Sequence, residues 1–210
     1  MKASNWMKFL VATATAVLLN HSAVADEPGP DVLVRNVTNE VLDILRKDKD
    51  IQGGNTRKAM DLVETKVLPH FNFQRMTAQA VGKDWRQASP AQQKALTDEF
   101  RTLLVRTYSN ALTAYKNQTV DFKPLKMAAA DTDVTVRTEI RQPGAKAIGI
   151  DYVLEKNNSD WKVYDVVIAD VSMVTSYRDQ FRQEIGASGV DGLIKSLQAK
   201  NKNVEATAKK

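Results

Sequence analysis

The sequence contains no cysteine and little histidine. Without cysteine there can be no disulfide, no thiolate metal site and no cysteine nucleophile, so stability has to come from a packed core. The two histidines are His21 and His70. A histidine-rich metal site is excluded too, because such sites need several ligands. We interpret His70, which lies between apolar neighbours in L-P-H-F, as a partly buried structural residue.

Recognisable catalytic motifs are also missing. There is no G-x-S-x-G elbow and no glycine-rich phosphate loop, and Ser172 is better placed to cap the helix that follows it. Asp165 and Asp170 remain as carboxylates that could act as acid and base. Asp165 could equally accept hydrogen bonds from nearby backbone or from an arginine. An enzyme that uses Asp165 or Asp170 as base therefore stays open as an alternative.

No apolar run reaches the roughly 20 residues needed to cross a bilayer. The N-terminus instead has Lys2 and Lys8, an apolar run at 9–19 and the small-residue site Ala23-Val24-Ala25. This order is typical of a cleaved secretory signal, so we expect residues 1–25 to be removed and the protein to be periplasmic. We expect a single domain over residues 26–200 and a flexible basic tail at 201–210.

The charge balance is only mildly basic. The whole chain carries a formal net charge of +5, and removal of Lys2 and Lys8 with the signal leaves about +3. The basic residues form no dense stripe, which argues against a nucleic-acid partner.

Apolar residues recur at helical spacing in the first half of the chain. They predict helices over 31–48, from Asn55 to Pro69, and over 74–81. Ser89, Pro90 and Gln92 form the signature of a capping box at the start of a long helix with a broad apolar face. A face this broad has to be covered by a sheet or by a ligand.

The period changes to two after residue 117. The alternation predicts four strands, at 120–122, 134–141, 148–155 and 161–168, with turns at 143–144 and 157–159. Helical spacing then returns, with a predicted stop at Gly186 and a cap at Asp191. Short turns between consecutive strands indicate an antiparallel meander, so we predict an α+β domain whose helices pack on one side of a four-stranded sheet.

Several segments together resemble the MlaC-type periplasmic phospholipid-binding proteins, also known as toluene-tolerance auxiliary proteins. The segments are VLPHFNFQRM at 67–76, GKDWRQASPAQQ at 82–93, FRTLLVRTY at 100–108, WKVYDVVIADVSMV at 161–174, YRDQF at 177–181 and GVDGLI at 189–194. They occur in order through nearly all of the chain. One departure is Asp170, where the family usually has a glycine that would tolerate an unusual backbone conformation.

The resemblance implies a curved, cystatin-like or nuclear-transport-factor-like cone that encloses an apolar cavity. It implies a carrier without enzyme activity or cofactor, whose cargo is phospholipid. The implied partners are an outer-membrane lipoprotein–porin complex and an inner-membrane ABC transporter, and the implied role is maintenance of outer-membrane lipid asymmetry. The residues alone also allow an alternative, in which the core is filled and the protein is a purely structural adaptor.

The inward faces of the predicted elements give a hypothesis for the cavity lining. From the long helix these are Phe100, Leu104, Tyr108 and Leu112; from the sheet, Val136, Ile150, Tyr152 and Ile168; and from the far side, Met173, Tyr177 and Phe181.

Overall fold

The computed structural model describes residues 28–115, 117–158 and 160–208, and the predicted signal peptide lies outside this part. The helices are α1 Pro30–Lys47, α2 Lys49–Gln52, α3 Thr56–Leu62, α4 Phe73–Val81, α5 Pro90–Thr113 and α6 Met173–Ala208, with a π-helical turn at Val63–Val67 and 3-10 turns at Leu68–His70 and Gly82–Arg86. The strands are β1 Thr119–Phe122, β2 Asp133–Arg141, β3 Ile148–Asn157, β4 Asp160–Ile168 and β5 Val171–Ser172.

The long helix α5 begins where its capping residues predict. The Ser89 hydroxyl accepts a hydrogen bond from the Gln92 amide, and the Gln92 side chain accepts one from the Ser89 amide. These two bonds satisfy amides that have no partner within the helix.

The sheet has five strands in the order β1-β2-β3-β4-β5, and each pairs antiparallel with the next. The four predicted strands are present, and β5 adds a short fifth. Two residues are too few for a period of two to be visible in the sequence. Ser172 is both a strand residue and the predicted helix cap. It pairs with Val167 of β4, and its hydroxyl accepts a hydrogen bond from the Thr175 amide at the start of α6.

The sheet has an apolar inner face and a polar outer face. Val134 and Val136 of β2 are buried, whereas Arg137 points outward and pairs with Asp151 of β3 at 3.5 Å. The helices cover the inner face, as the alternation predicts. The α+β class is therefore confirmed.

The segment that enters α4 is fixed to the sheet. Phe71 forms a parallel bridge with Val163 of β4, and the Asn72 amide donates to the Val163 carbonyl at 2.8 Å. A register shift in the β3–β4 pairing between Val153 and Leu154 lies near this bridge. Such a bulge increases the local twist of a sheet, and the bridge holds the segment 68–73 against β4 at this point.

Helix α6 continues farther than its glycines suggest. It passes Gly186 and breaks at Gly189, where φ is 69°. It then extends to Ala208, past residue 200, where the sequence suggests the start of a tail. Asn201 is 5% exposed and its side-chain amide donates to the Glu99 carbonyl at 3.0 Å and to the Glu99 carboxylate at 2.7 Å. These bonds anchor this part of α6 against α5.

Helices α4, α5 and α6 share a dense core of their own, built from Met76, Leu96, Phe100, Phe181, Leu193 and Leu197, each at most 1% exposed. Among the described residues, no helix combines the length and the hydropathy that a membrane span requires.

Candidate functional site

A cavity of about 520 Å³ lies between the inner face of the sheet and the helices. This volume is within the usual range for small-molecule sites. Its walls come from α1, the segment 63–73, α5 and strands β1 to β4, with single residues from α4 and from the start of α6. Most of the lining side chains are aliphatic or aromatic, so the cavity suits an apolar ligand.

Paired inward residues of β2, β3 and β4 divide the sheet wall into four levels. From the β2–β3 turn inward these are Ile140–Ile148, Thr138–Ile150–Ile168, Val136–Tyr152–Val166 and Val134–Leu154–Val163. The first three levels contribute most of the sheet lining. At the fourth, only Val163 reaches the cavity, while Val134 and Leu154 are buried in the core. The cavity therefore ends near the fourth level.

The cavity opens at the first level. Gln142, Ala145 and Lys146 of the β2–β3 turn line it and are exposed. Ile148 at the first level is 47% exposed, whereas Val163 at the fourth level is 3% exposed. We call the opening around the β2–β3 turn the mouth.

The mouth is polar although the interior is apolar. The Gln118 side-chain amide donates to the Gln142 side-chain oxygen at 3.0 Å. Arg46 at the end of α1 donates to the Tyr115 hydroxyl at 3.2 Å. Polar side chains at the entrance and apolar ones behind it suit an amphipathic ligand.

Two polar side chains inside the cavity are satisfied by the protein itself. The Thr138 hydroxyl donates to the Ile150 carbonyl at 2.8 Å, and the Ser109 hydroxyl donates to the Val105 carbonyl at 2.5 Å. Burial raises the pKa of the Tyr152 hydroxyl, and the neighbouring Thr38 side chain of α1 opposes this shift. An apolar ligand therefore leaves the Thr138 and Ser109 hydroxyls with partners, which avoids the cost of burying free polar groups.

His70 also lines the cavity, close to its inner end. Burial, followed by the positive charge of Lys162, lowers the pKa of His70, and Glu40 and Asp160 oppose this shift. The imidazole is therefore neutral at neutral pH, as an apolar cavity requires.

Seven of the eleven residues proposed for the lining face the cavity. These are Leu104, Tyr108, Leu112, Ile150, Tyr152, Ile168 and Met173. They lie on α5, on the inner face of the sheet and at the start of α6.

The other four are placed elsewhere. Phe100 packs edge to face with Tyr177 and Phe181, with ring centroids 5.0 and 5.2 Å apart, in the core between α5 and α6. Val136 is 1% exposed and packs within the sheet core. The apolar face of α5 is long enough to contact α6 in its first half and the cavity in its second half. Helical spacing shows that a residue faces the protein interior, but not whether it packs against another helix or lines the cavity.

The wall formed by α1 and the segment 63–73 is not among the lining residues that the sequence predicts. Helix α1 contributes Leu33, Val34, Val37, Thr38, Val41, Leu42 and Leu45. The apolar spacing of α1 predicts that one face of the helix is buried. The same spacing is expected for a helix that packs on a filled core, so it does not indicate a cavity wall. The π-helical turn within 63–73 has no simple sequence signature.

The two aspartates considered as bases do not line the cavity. One Asp165 oxygen accepts from the amides of Val166 at 2.8 Å and Val174 at 3.2 Å, and the other accepts from the Ser172 hydroxyl at 2.5 Å. Asp165 thus fixes the turn into α6. Asp170 is exposed in the β4–β5 turn. Across the described residues, no group of three or more metal-ligating side chains is found.

Comparison with known proteins extends over most of the chain. Residues 35–199 match the model of a family described as MlaC protein. The intermembrane phospholipid transport system binding protein MlaC of Haemophilus influenzae is 27% identical over 202 residues, covering 92% of this chain and 91% of that protein. The toluene tolerance protein ttg2D of Pseudomonas putida is 25% identical over 191 residues, covering 86% of this chain and 88% of that protein.

A solved structure of a phospholipid-binding protein is also similar to this chain. The phospholipid-binding protein from Ralstonia solanacearum, determined in complex with a phospholipid, is 38% identical to this chain. The two structures superpose with a TM-score of 0.79, over 85% of this chain and 99% of that one. The similar proteins are thus named for the binding or transport of phospholipid or for toluene tolerance.

Proposed function

Because the chain belongs to the MlaC protein family, we propose that it is a periplasmic carrier that encloses phospholipid acyl chains in the cavity and leaves the headgroup at the mouth. The observation that carries this proposal is the cavity of about 520 Å³, apolar inside and polar at one open end. The phospholipid complex of the related Ralstonia solanacearum protein supports it. The predicted signal peptide at residues 1–25 would deliver the protein to the periplasm.

The energetics explain why such a cavity is needed. Two acyl chains hold roughly 30 methylenes, and each is worth ~0.8 kcal/mol when kept from water, or ~24 kcal/mol in total. A phospholipid therefore does not cross an aqueous compartment at a useful rate alone. A cavity closed at its inner end replaces the bilayer around the chains.

The same energy means that release needs a partner with another apolar path. We propose that the carrier docks on an outer-membrane lipoprotein–porin complex and on an inner-membrane ABC transporter, and that transfer between them maintains outer-membrane lipid asymmetry. The half-exposed side chains of Ile148 at the mouth and Tyr108 on α5 both line the cavity. They would give the departing chains an apolar surface during docking.

Mass spectrometry of the natively purified protein tests the carrier proposal. The protein should be expressed with its N-terminal segment, isolated from the periplasm without detergent and extracted with organic solvent. We expect phospholipid in the extract at an amount comparable to that of the protein. A folded protein that carries no phospholipid would show the proposal to be wrong.

A further inference from the structure

A row of polar side chains continues the sheet wall beyond its first level, on the solvent side. Ile140 and Ile148 form the first level. Inward residues of a strand recur at every second position, so Gln142 and Lys146 extend the same face by one step, and both line the cavity. Gln118 completes the row, since it lines the cavity and donates to the Gln142 side-chain oxygen at 3.0 Å. The lining therefore changes from apolar to polar within about 7 Å along the strands.

A regular turn holds this row in place. The Ala145 amide donates to the Gln142 carbonyl at 3.1 Å, and Gly144 has a φ of 79°. Proline at the second position and a glycine of positive φ at the third are typical of a type II turn. Gln142 and Lys146 flank this turn, so the backbone that carries them is already ordered before a ligand arrives.

Lys146 is distinguished by its charge. Among the described residues that line the cavity, it carries the only formal charge at neutral pH, and none of them is aspartate or glutamate. The nearby Arg141 lies on the outer face, where it pairs with Glu139 at 2.8 Å and Asp121 at 3.1 Å. Lys146 is exposed and has no ion pair within the part of the chain that the structure describes. Its ammonium is thus available to a ligand in the cavity.

We propose that Lys146 binds the phosphate of the bound lipid and makes the carrier prefer phospholipids with a net negative charge. This inference rests on the proposed function and adds a headgroup preference to it. Gln142 uses its side-chain oxygen for Gln118, so its side-chain nitrogen can still donate to the same phosphate.

The preference follows from the charges of the two lipid classes. Every phospholipid offers a phosphate to the ammonium of Lys146. A zwitterionic headgroup also brings a cation, which Lys146 repels and for which the described lining holds no carboxylate. An anionic headgroup such as glycerol phosphate brings no such cation, so its lipid binds more tightly.

The test changes the charge of Lys146 stepwise. Wild type, Lys146→Arg, Lys146→Gln and Lys146→Glu are incubated with vesicles that contain phosphatidylglycerol and phosphatidylethanolamine with identical chains in equal amounts. Mass spectrometry then identifies the lipid on the re-isolated protein. We expect phosphatidylglycerol to be enriched on wild type by roughly two- to fivefold, as for other exposed charge pairs. Lys146→Arg should keep this enrichment, Lys146→Gln should lose it, and Lys146→Glu should favour phosphatidylethanolamine. Salt at about 0.5 M should reduce the wild-type enrichment, because it screens exposed charges.

Lys126→Gln is the matched control. Lys126 is exposed in the β1–β2 connection, at the end of the sheet away from the mouth, and does not line the cavity. This variant loses the same charge and should keep the wild-type ratio of the two lipids. Equal loading with one lipid ratio in wild type, Lys146→Gln and Lys146→Glu would overturn the inference and leave the carrier function intact. An equal loss of enrichment in Lys126→Gln and Lys146→Gln would also overturn it, because net charge would then explain the preference. Wild type without any lipid would overturn the carrier function itself, and with it the inference.

Discussion

The guanidinium of Arg75 lies over the ring of Tyr164, 3.5 Å from its centroid. The same guanidinium donates to the carboxylates of Glu155 and Asp133, and the distance to Asp133 is 2.9 Å. Arg75 belongs to α4, whereas its three partners lie on β4, β3 and β2. One side chain therefore joins the helical layer to three strands at the end of the sheet away from the mouth.

Replacement of Arg75 should destabilise the fold. Arg75→Ala removes a cation–π contact and charge-assisted hydrogen bonds, and we expect the free energy of unfolding in urea to fall by about 2–3 kcal/mol. Arg75→Lys should lose about half as much, because an ammonium lacks the planar fork. Arg182→Ala is the control, since its pair with Asp179 is exposed and should change the free energy by about 0.5 kcal/mol or less. Equal losses in Arg75→Ala and Arg182→Ala would contradict this role.

The β4–β5 turn contains two residues with positive φ, Ala169 at 49° and Asp170 at 66°. Two-residue turns of this kind favour asparagine, aspartate and glycine, and an alanine in this conformation costs about 1–2 kcal/mol. We expect Ala169→Gly to raise the free energy of unfolding by about 0.5–1 kcal/mol, after allowing for the greater freedom of glycine in the unfolded chain.

Asp170→Gly should have a smaller effect in the same direction, because aspartate tolerates positive φ better than alanine does. Ala128→Gly in the β1–β2 connection is a suitable control. Ala128 is exposed and is not among the described residues with positive φ, so glycine there should only destabilise. Loss of stability in Ala169→Gly would show that the turn carries no strain.

This turn illustrates what the sequence predicts well. The family pattern places a glycine at position 170, and the structure has a positive φ there, so the backbone requirement is visible from sequence even though the residue differs. The alternation in β2 to β4 likewise predicts which residues face the helices, because a period of two leaves each strand only two faces.

The candidate site is less predictable. Phe100 and Leu104 are neighbours on one face of α5, yet one packs on α6 and the other lines the cavity. A residue beside a void and a residue in a packed core have the same spacing and the same apolar chemistry. Whether such a residue lines the cavity or packs in the core depends on the positions of α1 and α6. Those positions follow from contacts between residues far apart in the sequence.

His70 should make stability depend on pH. Burial lowers its pKa in the folded protein below the ordinary value of about 6.5, so between these two values the unfolded chain binds more protons than the folded one. The contribution of the neutral imidazole is fully present above about pH 6.5 and is lost as the pH falls towards the lowered pKa.

His70→Gln removes this titration. We expect the thermal unfolding temperature of wild type to fall more than that of His70→Gln between about pH 7.5 and 5. Each protein serves as its own reference at the higher pH, so a general effect of the substitution cancels. The same fall in both proteins would rule out a contribution from His70.

The two aspartates should differ sharply in their effect on stability. Asp165→Ala leaves two backbone amides and the Ser172 hydroxyl without their acceptor, and we expect a loss of about 2–3 kcal/mol in the free energy of unfolding. Asp170→Asn should be nearly neutral, because asparagine also tolerates positive φ. Chemical denaturation measures both. A neutral Asp165→Ala combined with loss of a turnover activity would favour the enzyme alternative instead.

A charge in the cavity should abolish lipid retention without unfolding the protein. Ile150 is half-buried on the second level of the sheet wall, so Ile150→Glu places a carboxylate that water can reach only while the cavity is empty. Acyl chains would strip that water away, and burial of an unpaired carboxylate costs far more than the ~1.4 kcal/mol that corresponds to a tenfold change. We expect bound phospholipid per protein to fall by at least about tenfold.

Val153→Glu provides the matched control, because it adds the same charge to the outer face of the same strand. Thermal melts of both variants separate a loss of lipid from a loss of fold. If Ile150→Glu melts normally and still carries wild-type amounts of phospholipid, the acyl chains do not occupy the space in front of the sheet. If Val153→Glu alone keeps its lipid, the chains lie against the inner face of the sheet, between α1 and β3.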